Sequence, residues 1–248
     1  MKNYTIYLTP AAGKKLIAKA LCSREDVRDA LKNHTVVLIT GSTNADLAES
    51  LLNMCGASFE KKGFYRGITK PASAKPSVPA RAEDVVIEKG VYKPGLTIFD
   101  VAPSLKEGDI IFKGANALHL PTSSCGILIG HPEAGTIIPC HAALCGRRVR
   151  LIHPVGLEKR VDEPISDLAA LMNDPDTSGP RLFPSAGLPY TELDAIWDLT
   201  GVTATLVAAG GVCGYEGGVY LLLEGSEDGL ASMKEIYDSV KDAPPYEI

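Results

Sequence analysis

The sequence lacks any uninterrupted apolar run near the ~20 residues that a membrane-spanning helix needs. It also carries little net charge for its length, −5 over 248 residues. Electrostatics therefore give no reason to expect a nucleic acid or an anionic membrane as a partner. The first residues of the chain lack the long apolar core of a signal peptide. We expect a soluble, cytoplasmic protein with no nucleic-acid or membrane partner.

Cysteine is present at six positions, but no Cys-x-x-Cys spacing is repeated. In a reducing compartment such scattered cysteines are commonly buried as small apolar residues. Cys140, His141 and Cys145 form the one cluster in the sequence that could ligate zinc, but no second paired motif accompanies it. We therefore expect no metal and no other cofactor.

The most informative stretch that is present runs from residue 35 to residue 52. Its apolar, β-branched first part predicts a buried strand, and the amphipathic pattern after Gly41 predicts a helix. The first turn of a helix has unpaired N–H groups and the positive end of the helix dipole. Small residues let an anion approach these groups closely. We expect a ligand-binding turn made of Gly41, Ser42, Thr43 and Asn44.

Several further apolar runs are separated by glycine, and a helical pattern lies between the last two. Near-continuous apolar strands with helices between them indicate a sheet that is covered on both faces. We expect an α/β fold with a Rossmann-like, mostly parallel sheet and helices on both faces. The predicted elements are strands over Leu96–Asp100, Asp109–Phe112, Gly126–Ile129 and Val149–Ile152, and a helix over Thr136–Arg148.

The pattern changes in the last third of the chain to helix, helix, strand, strand and helix. The predicted helices span Ile165–Met172 and Thr191–Leu199, and a third begins after Ser226, a good N-cap residue. We expect a smaller α+β lobe here, and the predicted domains are 1–162 for the α/β core and 163–248 for the C-terminal lobe.

Three motifs in the first half of the chain resemble ribose-5-phosphate isomerase A and its relatives in the superfamily that includes glucosamine-6-phosphate deaminase and CoA transferases. The first is the strand–Gly-Ser-Thr–helix element at residues 35–52. The second is Lys113-Gly114-Ala-Asn116-Ala-Leu at the end of a strand, and the third is Asp100-Val-Ala-Pro103 ahead of it. The resemblance implies the fold of this superfamily and an anion-binding pocket for a sugar phosphate or an organic acid.

The sequence departs from the isomerase pattern at the carboxylates. Pro103 stands where the resemblance would place a second aspartate, and Pro121 and Thr122 stand where it would place a catalytic glutamate. An aldose–ketose isomerase needs a positioned base. Glu133, two residues after His131 and close behind a predicted strand, is the best substitute.

The candidate site combines these motifs at the carboxyl ends of the predicted strands, where α/β sheets bind ligands. We expect Asp100, Lys113 and Glu133 to act in proton transfer and charge stabilisation. Gly114 and Asn116 are expected to contact the ligand. A small anionic metabolite is the expected partner, and the sequence leaves open whether the protein forms a homo-oligomer.

Other basic residues have less defined roles. Arg66 and Lys70, in a proline-rich loop, could reach a phosphate or could be solvated loop charges. Lys14 is expected on the exposed face of a helix. Lys159 and Arg160 are expected to be a solvated pair.

Two alternative functions remain open from the sequence. The missing isomerase carboxylates favour a sensor or binding protein of the same fold without catalysis. Glu216, in a glycine-rich segment, is a candidate nucleophile for acyl or CoA transfer.

Overall fold

A computed structural model of the chain describes residues 2–66, 73 and 75–247, so that Lys70 lies outside the described residues. The helices are α1 (Pro10–Ser23), α2 (Glu25–Asn33), α3 (Ser42–Met54), α4 (Ile98–Val101), α5 (Ile137–Arg147), α6 (Ile165–Met172), α7 (Glu192–Thr200) and α8 (Glu227–Val240). None of these helices, over the part of the chain described, combines the length and the apolar character needed to cross a membrane.

The strands form three sheets. They are β1 (Tyr4–Leu8), β2 (Thr35–Leu38), β3 (Val85–Glu88), β4 (Val91–Tyr92), β5 (Ile110–Phe112), β6 (Ala117–His119), β7 (Ser124–Ile129), β8 (Arg150–Pro154), β9 (Arg181–Ser185), β10 (Leu188–Tyr190), β11 (Thr203–Ala209) and β12 (Val219–Glu224). The central sheet has six strands in the order β10-β8-β5-β2-β3-β4. Two three-stranded sheets have the orders β1-β12-β11 and β6-β7-β9. With helices and mixed sheets, the chain is α/β.

In the central sheet, neighbouring strands from β2 to β10 are parallel. β2 pairs in parallel with β5, β5 with β8, and β8 with β10. On the other side of β2, the hairpin of β3 and β4 adds antiparallel pairs. The carboxyl ends of four parallel strands therefore meet at one edge of this sheet, and that edge carries the candidate site.

The predicted strand–turn–helix element is confirmed. β2 is a buried strand, and α3 begins at Ser42 directly after Gly41, whose backbone is extended. The buried side chains of α3 recur at helical spacing, which holds one face of the helix against the core. They include Ala45, Leu47, Ala48, Leu51 and Leu52. Burial of this face fixes the helix N-terminus at the edge of the sheet.

Local capping marks several helix starts, and those predicted at Thr191 and after Ser226 are present. Thr9 accepts a hydrogen bond from Ala12 N–H at the start of α1. Thr191 caps α7, and Ser226 caps α8 through Gly229 N–H. Such caps satisfy N–H groups within a few residues, so sequence alone is sufficient to place them.

The predicted strand over Leu96–Asp100 is wrong. The segment instead enters the short helix α4, and Thr97 and Asp100 form a capping box at its start. The Asp100 carboxylate accepts hydrogen bonds from the backbone N–H and the hydroxyl of Thr97 at 2.7 and 2.6 Å. The predicted strand over Gly126–Ile129 is present in β7, but it belongs to a small antiparallel sheet.

The predicted domain boundary at residue 162 does not coincide with a break in any of the three sheets. β9 pairs with β7, β10 with β8, and β12 with β1, so each sheet contains strands from both sides of the boundary. One hydrophobic core also runs through both parts, from Ile6 and Leu38 to Leu221 and Met233.

Candidate functional site

A cavity of about 1110 Å³ opens at the carboxyl ends of β2 and β5. It collects most of the residues that the sequence motifs single out. The predicted site residues that line it are Gly41, Ser42, Thr43, Lys113, Gly114, Asn116 and Glu133. Residues more than 90 positions apart in the chain thus share one space, because parallel strands end at the same edge of the sheet.

The first turn of α3 faces this cavity. Among the described residues, no acceptor takes the backbone N–H groups of Ser42 and Thr43. These donors and the positive end of the helix dipole favour negative charge. Gly114 lies close to Thr43: a Cβ added to Gly114 would be 3.7 Å from the Thr43 Cβ. The loop after β5 is therefore packed beside the helix start.

Lys113 follows β5 directly, and its ammonium group lies in the cavity. Its Nζ donates a hydrogen bond to the Thr136 hydroxyl at 3.0 Å. Among the described residues no carboxylate is within salt-bridge distance of this Nζ. Burial lowers the pKa of Lys113 below the usual lysine range. Within the described part of the chain, the site thus holds a lysine without a carboxylate at salt-bridge distance.

Lys159 is a second cation of the cavity, and the prediction that it forms a solvated pair with Arg160 is wrong. Arg160 is exposed, but Lys159 donates to the Ala115 carbonyl at 2.8 Å and its Nζ lies 3.5 Å from the Thr43 hydroxyl. Burial lowers the pKa of Lys159 as well. Sequence reasoning missed this residue because no local motif marks it.

Lys14 adds a third positive charge at the start of α3. Its Nζ lies 3.4 Å from the Ser42 hydroxyl, although its position on α1 suggested only an exposed helix face. The packing of α1 on α3 brings it there. Lys14 and Lys159 therefore contact the side chains of adjacent residues, Ser42 and Thr43.

Glu192, the first residue of α7, holds the turn that carries Lys159. Its fully buried carboxyl group accepts a hydrogen bond from the Leu157 N–H at 3.0 Å, and Leu157 begins the 3-10 turn that ends at Lys159. α1 passes so close that a Cβ at Gly13 would collide with the Glu192 carboxyl oxygen. Glycine at this position makes the approach possible. Burial, with a smaller contribution from Glu158, raises the pKa of Glu192 to about 8.

We expect the Glu192→Gln variant to be more stable than the wild type at pH 7. Between pH 4.5, the ordinary glutamate pKa, and pH 8, native Glu192 keeps a proton that the unfolded chain has lost. Rising pH therefore lowers the stability of the wild type through this group. Glutamine can still accept from Leu157 N–H and does not ionise, so the free energy of unfolding should rise by on the order of 3 kcal/mol at pH 7.

Urea unfolding at pH 5 and pH 7 measures this effect. The gain should shrink towards pH 5, and the matched Glu235→Gln change at an exposed position of α8 should alter stability by no more than about 0.5 kcal/mol. A Glu192→Gln protein that is less stable than the wild type at pH 7 would contradict the expectation.

A buried chain of hydrogen-bonded polar groups holds the backbone of Lys113 in place. His153 lies 2.6 Å from the Lys113 carbonyl through Nδ1 and 2.6 Å from the Ser185 hydroxyl through Nε2. A carbonyl only accepts, so Nδ1 carries the proton and Nε2 accepts from Ser185. The Ser185 oxygen in turn accepts from Gly187 N–H, and His141 Nε2 lies 2.9 Å from it. Burial lowers the pKa of His153 to about 4, which keeps the ring neutral.

Asp84 supports the other side of the cavity. Its buried carboxylate accepts from the backbone and hydroxyl of Thr40, both at 2.9 Å, and from Ile98 N–H at 2.9 Å. It thereby ties the end of β2 to the start of α4. Arg66 lines the cavity and has a guanidinium nitrogen 3.5 Å from the Asp84 carboxylate. The charge of Arg66 is therefore shared with a protein carboxylate.

Two predicted site residues lie outside the cavity lining. The Asp100 side chain forms the capping box of α4 together with Thr97 and does not line the cavity. Asn44 is fully buried beneath α3, and its amide nitrogen donates to the carbonyls of Ile39 and Phe112 at 2.9 and 3.0 Å. These contacts give Asn44 a structural position at the ends of β2 and β5, where it does not reach the cavity.

The loop between β7 and α5 supplies the acid–base candidates. His131 and Glu133 both line the cavity, and the backbone N–H of Glu133 donates to His131 Nδ1 at 3.2 Å. Both residues are exposed, and Glu133 is the one carboxylate among the described residues of the lining. Asn116 reaches the same wall, where its side-chain oxygen accepts from Leu128 N–H at 3.0 Å.

The residue predicted as a nucleophile for acyl or CoA transfer lies outside the cavity. Glu216 is exposed, outside the cavity lining, and its carboxylate accepts from Gly214 N–H at 2.9 Å. Cys140 is buried whereas Cys145 is exposed. Within the described part of the chain, no group of three His, Cys, Asp or Glu side chains is arranged to hold a metal ion.

Comparison with known proteins gives no family assignment. Neither protein-family models nor curated proteins nor solved structures yield a significant match to this chain. The function therefore has to be argued from the cavity itself.

Proposed function

We propose that this protein binds a small phosphorylated or carboxylated metabolite in the cavity at the start of α3. The observation that carries the proposal is the pair of partly buried ammonium groups, Lys113 and Lys159, beside the N–H groups of Ser42 and Thr43, which have no acceptor among the described residues. A buried cation without a counter-ion is costly, and an anionic ligand supplies the missing partner. At a helix N-terminus, backbone N–H groups point towards such an anion, and the positive end of the helix dipole attracts it.

The rest of the lining supports an organic ligand over a bare inorganic ion. Apolar side chains form a large part of the cavity wall, and Phe99, Leu128 and Ile138 remain 56%, 39% and 45% exposed there. Organic ligands bind in clefts that combine apolar walls with a few placed polar groups. We infer that the anionic group is held at α3 and that the carbon skeleton of the ligand lies along this wall.

We also propose that the central sheet is Rossmann-like and related to the superfamily of ribose-5-phosphate isomerase A. The run of parallel strands β2, β5, β8 and β10 supports this idea, as does the position of Lys113 at the end of β5. A solved structure of this chain superposed on members of that superfamily would test it. A different order of the parallel strands in those members would contradict it.

Thermal unfolding with a panel of anions tests the proposed binding. The panel comprises inorganic phosphate, sugar phosphates, organic acids and CoA esters, at matched ionic strength. A ligand that binds only the native state stabilises it by about 2.7 kcal/mol when the free ligand concentration is 100 times the dissociation constant. We expect at least one anion to raise the melting temperature and its uncharged analogue to leave it unchanged.

The Lys113→Met variant makes the test specific to the cavity. The shift caused by the best anion should be lost or strongly reduced, whereas the exposed Lys15→Met control on α1, with the same change in charge, should keep it. Equal shifts in both variants would place the anion outside the cavity and overturn the proposal.

Isomerisation of the bound metabolite is the second candidate, and the position of Glu133 in the lining favours it. A carboxylate beside a bound sugar phosphate could move a proton between adjacent carbons. A Glu133→Gln variant that binds the ligand but no longer turns it over would support catalysis. Wild-type protein that binds the ligand without any turnover would support a sensor or binding protein.

A further inference from the structure

Lys113 and Lys159 share the cavity but have different hydrogen-bond partners. The Nζ of Lys159 donates to a carbonyl, that of Ala115, and lies next to the Thr43 hydroxyl at the start of α3. These contacts hold Lys159 where the anion is expected. The Nζ of Lys113 contacts only a hydroxyl group, that of Thr136, among the described residues.

A hydroxyl partner suits an amine that changes its protonation state. A hydroxyl can both accept from an ammonium group and donate to a neutral amine. Burial destabilises the ammonium form of Lys113 and lowers its pKa, although the nearby charge of Asp84 acts in the opposite direction; Arg66 adds a smaller effect in the same direction as burial. Neutral lysine is a nucleophile towards carbonyl groups, and desolvation is one of the ways in which proteins activate it.

The loop that ends at Thr136 also brings proton carriers to the same cavity. His131 and Glu133 precede Thr136 by five and three positions and line the cavity with it. Because His131 Nδ1 accepts from Glu133 N–H, the proton of the neutral ring is on Nε2. This nitrogen can give a proton to a reacting oxygen and later take one back.

We propose that Lys113 forms a Schiff base with a ligand that carries an aldehyde or ketone as well as an anionic group. Nζ in its deprotonated form attacks the carbonyl carbon, the C=O π bond breaks, and a proton passes from the nitrogen to the oxygen to give a carbinolamine. A proton from His131 Nε2 lets the hydroxyl group leave as water, and the nitrogen lone pair forms the C=N bond. The remaining N–H proton of this iminium can return to the His131–Glu133 loop. The inference rests on the proposed function, because the anion site directs the carbonyl group to the amine.

Reductive trapping tests the inference. The wild-type protein is incubated with dihydroxyacetone phosphate and cyanoborohydride, which reduces the C=N bond to a stable secondary amine, and peptide mass spectrometry locates the adduct. We expect labelling at Lys113 to exceed labelling at the exposed Lys15 by about tenfold or more at pH 7, because a carbonyl group held beside the amine reacts at a high effective concentration. Inorganic phosphate should protect Lys113, and dihydroxyacetone without phosphate should label it much less.

The Lys113→Arg variant keeps the charge but removes the nucleophile. It should still be stabilised by dihydroxyacetone phosphate in thermal unfolding and should form no adduct at position 113. If this variant does not fold, protection of wild-type Lys113 by inorganic phosphate shows instead that the adduct forms in the anion site and not by unspecific reaction.

The outcomes separate the two proposals. Binding of the phosphorylated probe to the wild type without labelling at Lys113, or with preferred labelling at Lys159, overturns the Schiff base and leaves the proposed function intact. Equal labelling with and without the phosphate group of the probe also overturns it. No stabilisation by any anion of the panel overturns the proposed function itself.

Discussion

Replacement of Lys159 by methionine is expected to lower the affinity for the anionic ligand by about 30- to 4000-fold. The Nζ of Lys159 is partly buried beside Thr43, at the start of α3, where N–H groups have no acceptor among the described residues. Removal of one member of a buried, hydrogen-bonded charge pair costs about 2–5 kcal/mol, and 1.4 kcal/mol corresponds to a factor of ten. Isothermal titration with the best anion of the panel measures the loss.

The same variant should fold at least as well as the wild type when no ligand is present. Methionine fills a similar volume, and it removes a desolvated charge that has no carboxylate within salt-bridge distance among the described residues. Lys15→Met is the matched control and should change neither affinity nor stability appreciably. An affinity of Lys159→Met within about twofold of the wild type would show that the anion binds elsewhere.

Replacement of Asn44 by aspartate is expected to lower the free energy of unfolding by about 3–5 kcal/mol. The side-chain amide of Asn44 donates to the carbonyls of Ile39 and Phe112, and the residue is fully buried. A carboxylate would place negative oxygens against two carbonyl oxygens, and its other oxygen would lie where the Asn44 oxygen already has no partner among the described residues. The change is nearly isosteric, so packing stays constant.

Urea unfolding of the ligand-free protein checks this expectation. Asn53→Asp makes the same chemical change on the exposed side of α3 and should cost no more than about 1 kcal/mol. The loss in Asn44→Asp should also be smaller at low pH, where aspartate can be protonated. Similar stabilities of the two variants at pH 7 would show that Asn44 does not hold β2 and β5 together.

The sequence was sufficient where the determining contacts are local. The end of β2, the start of α3 and the helix starts at Thr191 and Ser226 depend on residues a few positions apart, and all were predictable. Lys113 could be singled out because it directly follows an apolar strand and precedes Gly114. The local pattern was misleading over Leu96–Asp100, where a capping box outweighed an apolar run.

The site needed contacts that no local pattern encodes. Lys159 stands in a short turn whose position depends on the Glu192 carboxyl group, 33 residues further along the chain. Lys14 reaches Ser42 only because α1 packs on α3. Asn44 belongs to the predicted anion-binding turn, but the direction of its side chain was decided by two strand-end carbonyls that lie in different parts of the sequence.

By itself, the sequence determined an α/β chain with an apolar strand, a small-residue turn and a helix start suited to an anion, because hydrophobic periodicity and capping act over short distances. Only the tertiary structure decided which charges surround that turn. Parallel strands and packed helices bring Lys14, Lys113 and Lys159 to the same end of the sheet, and partial burial there removes water that would otherwise solvate Lys113 and Lys159.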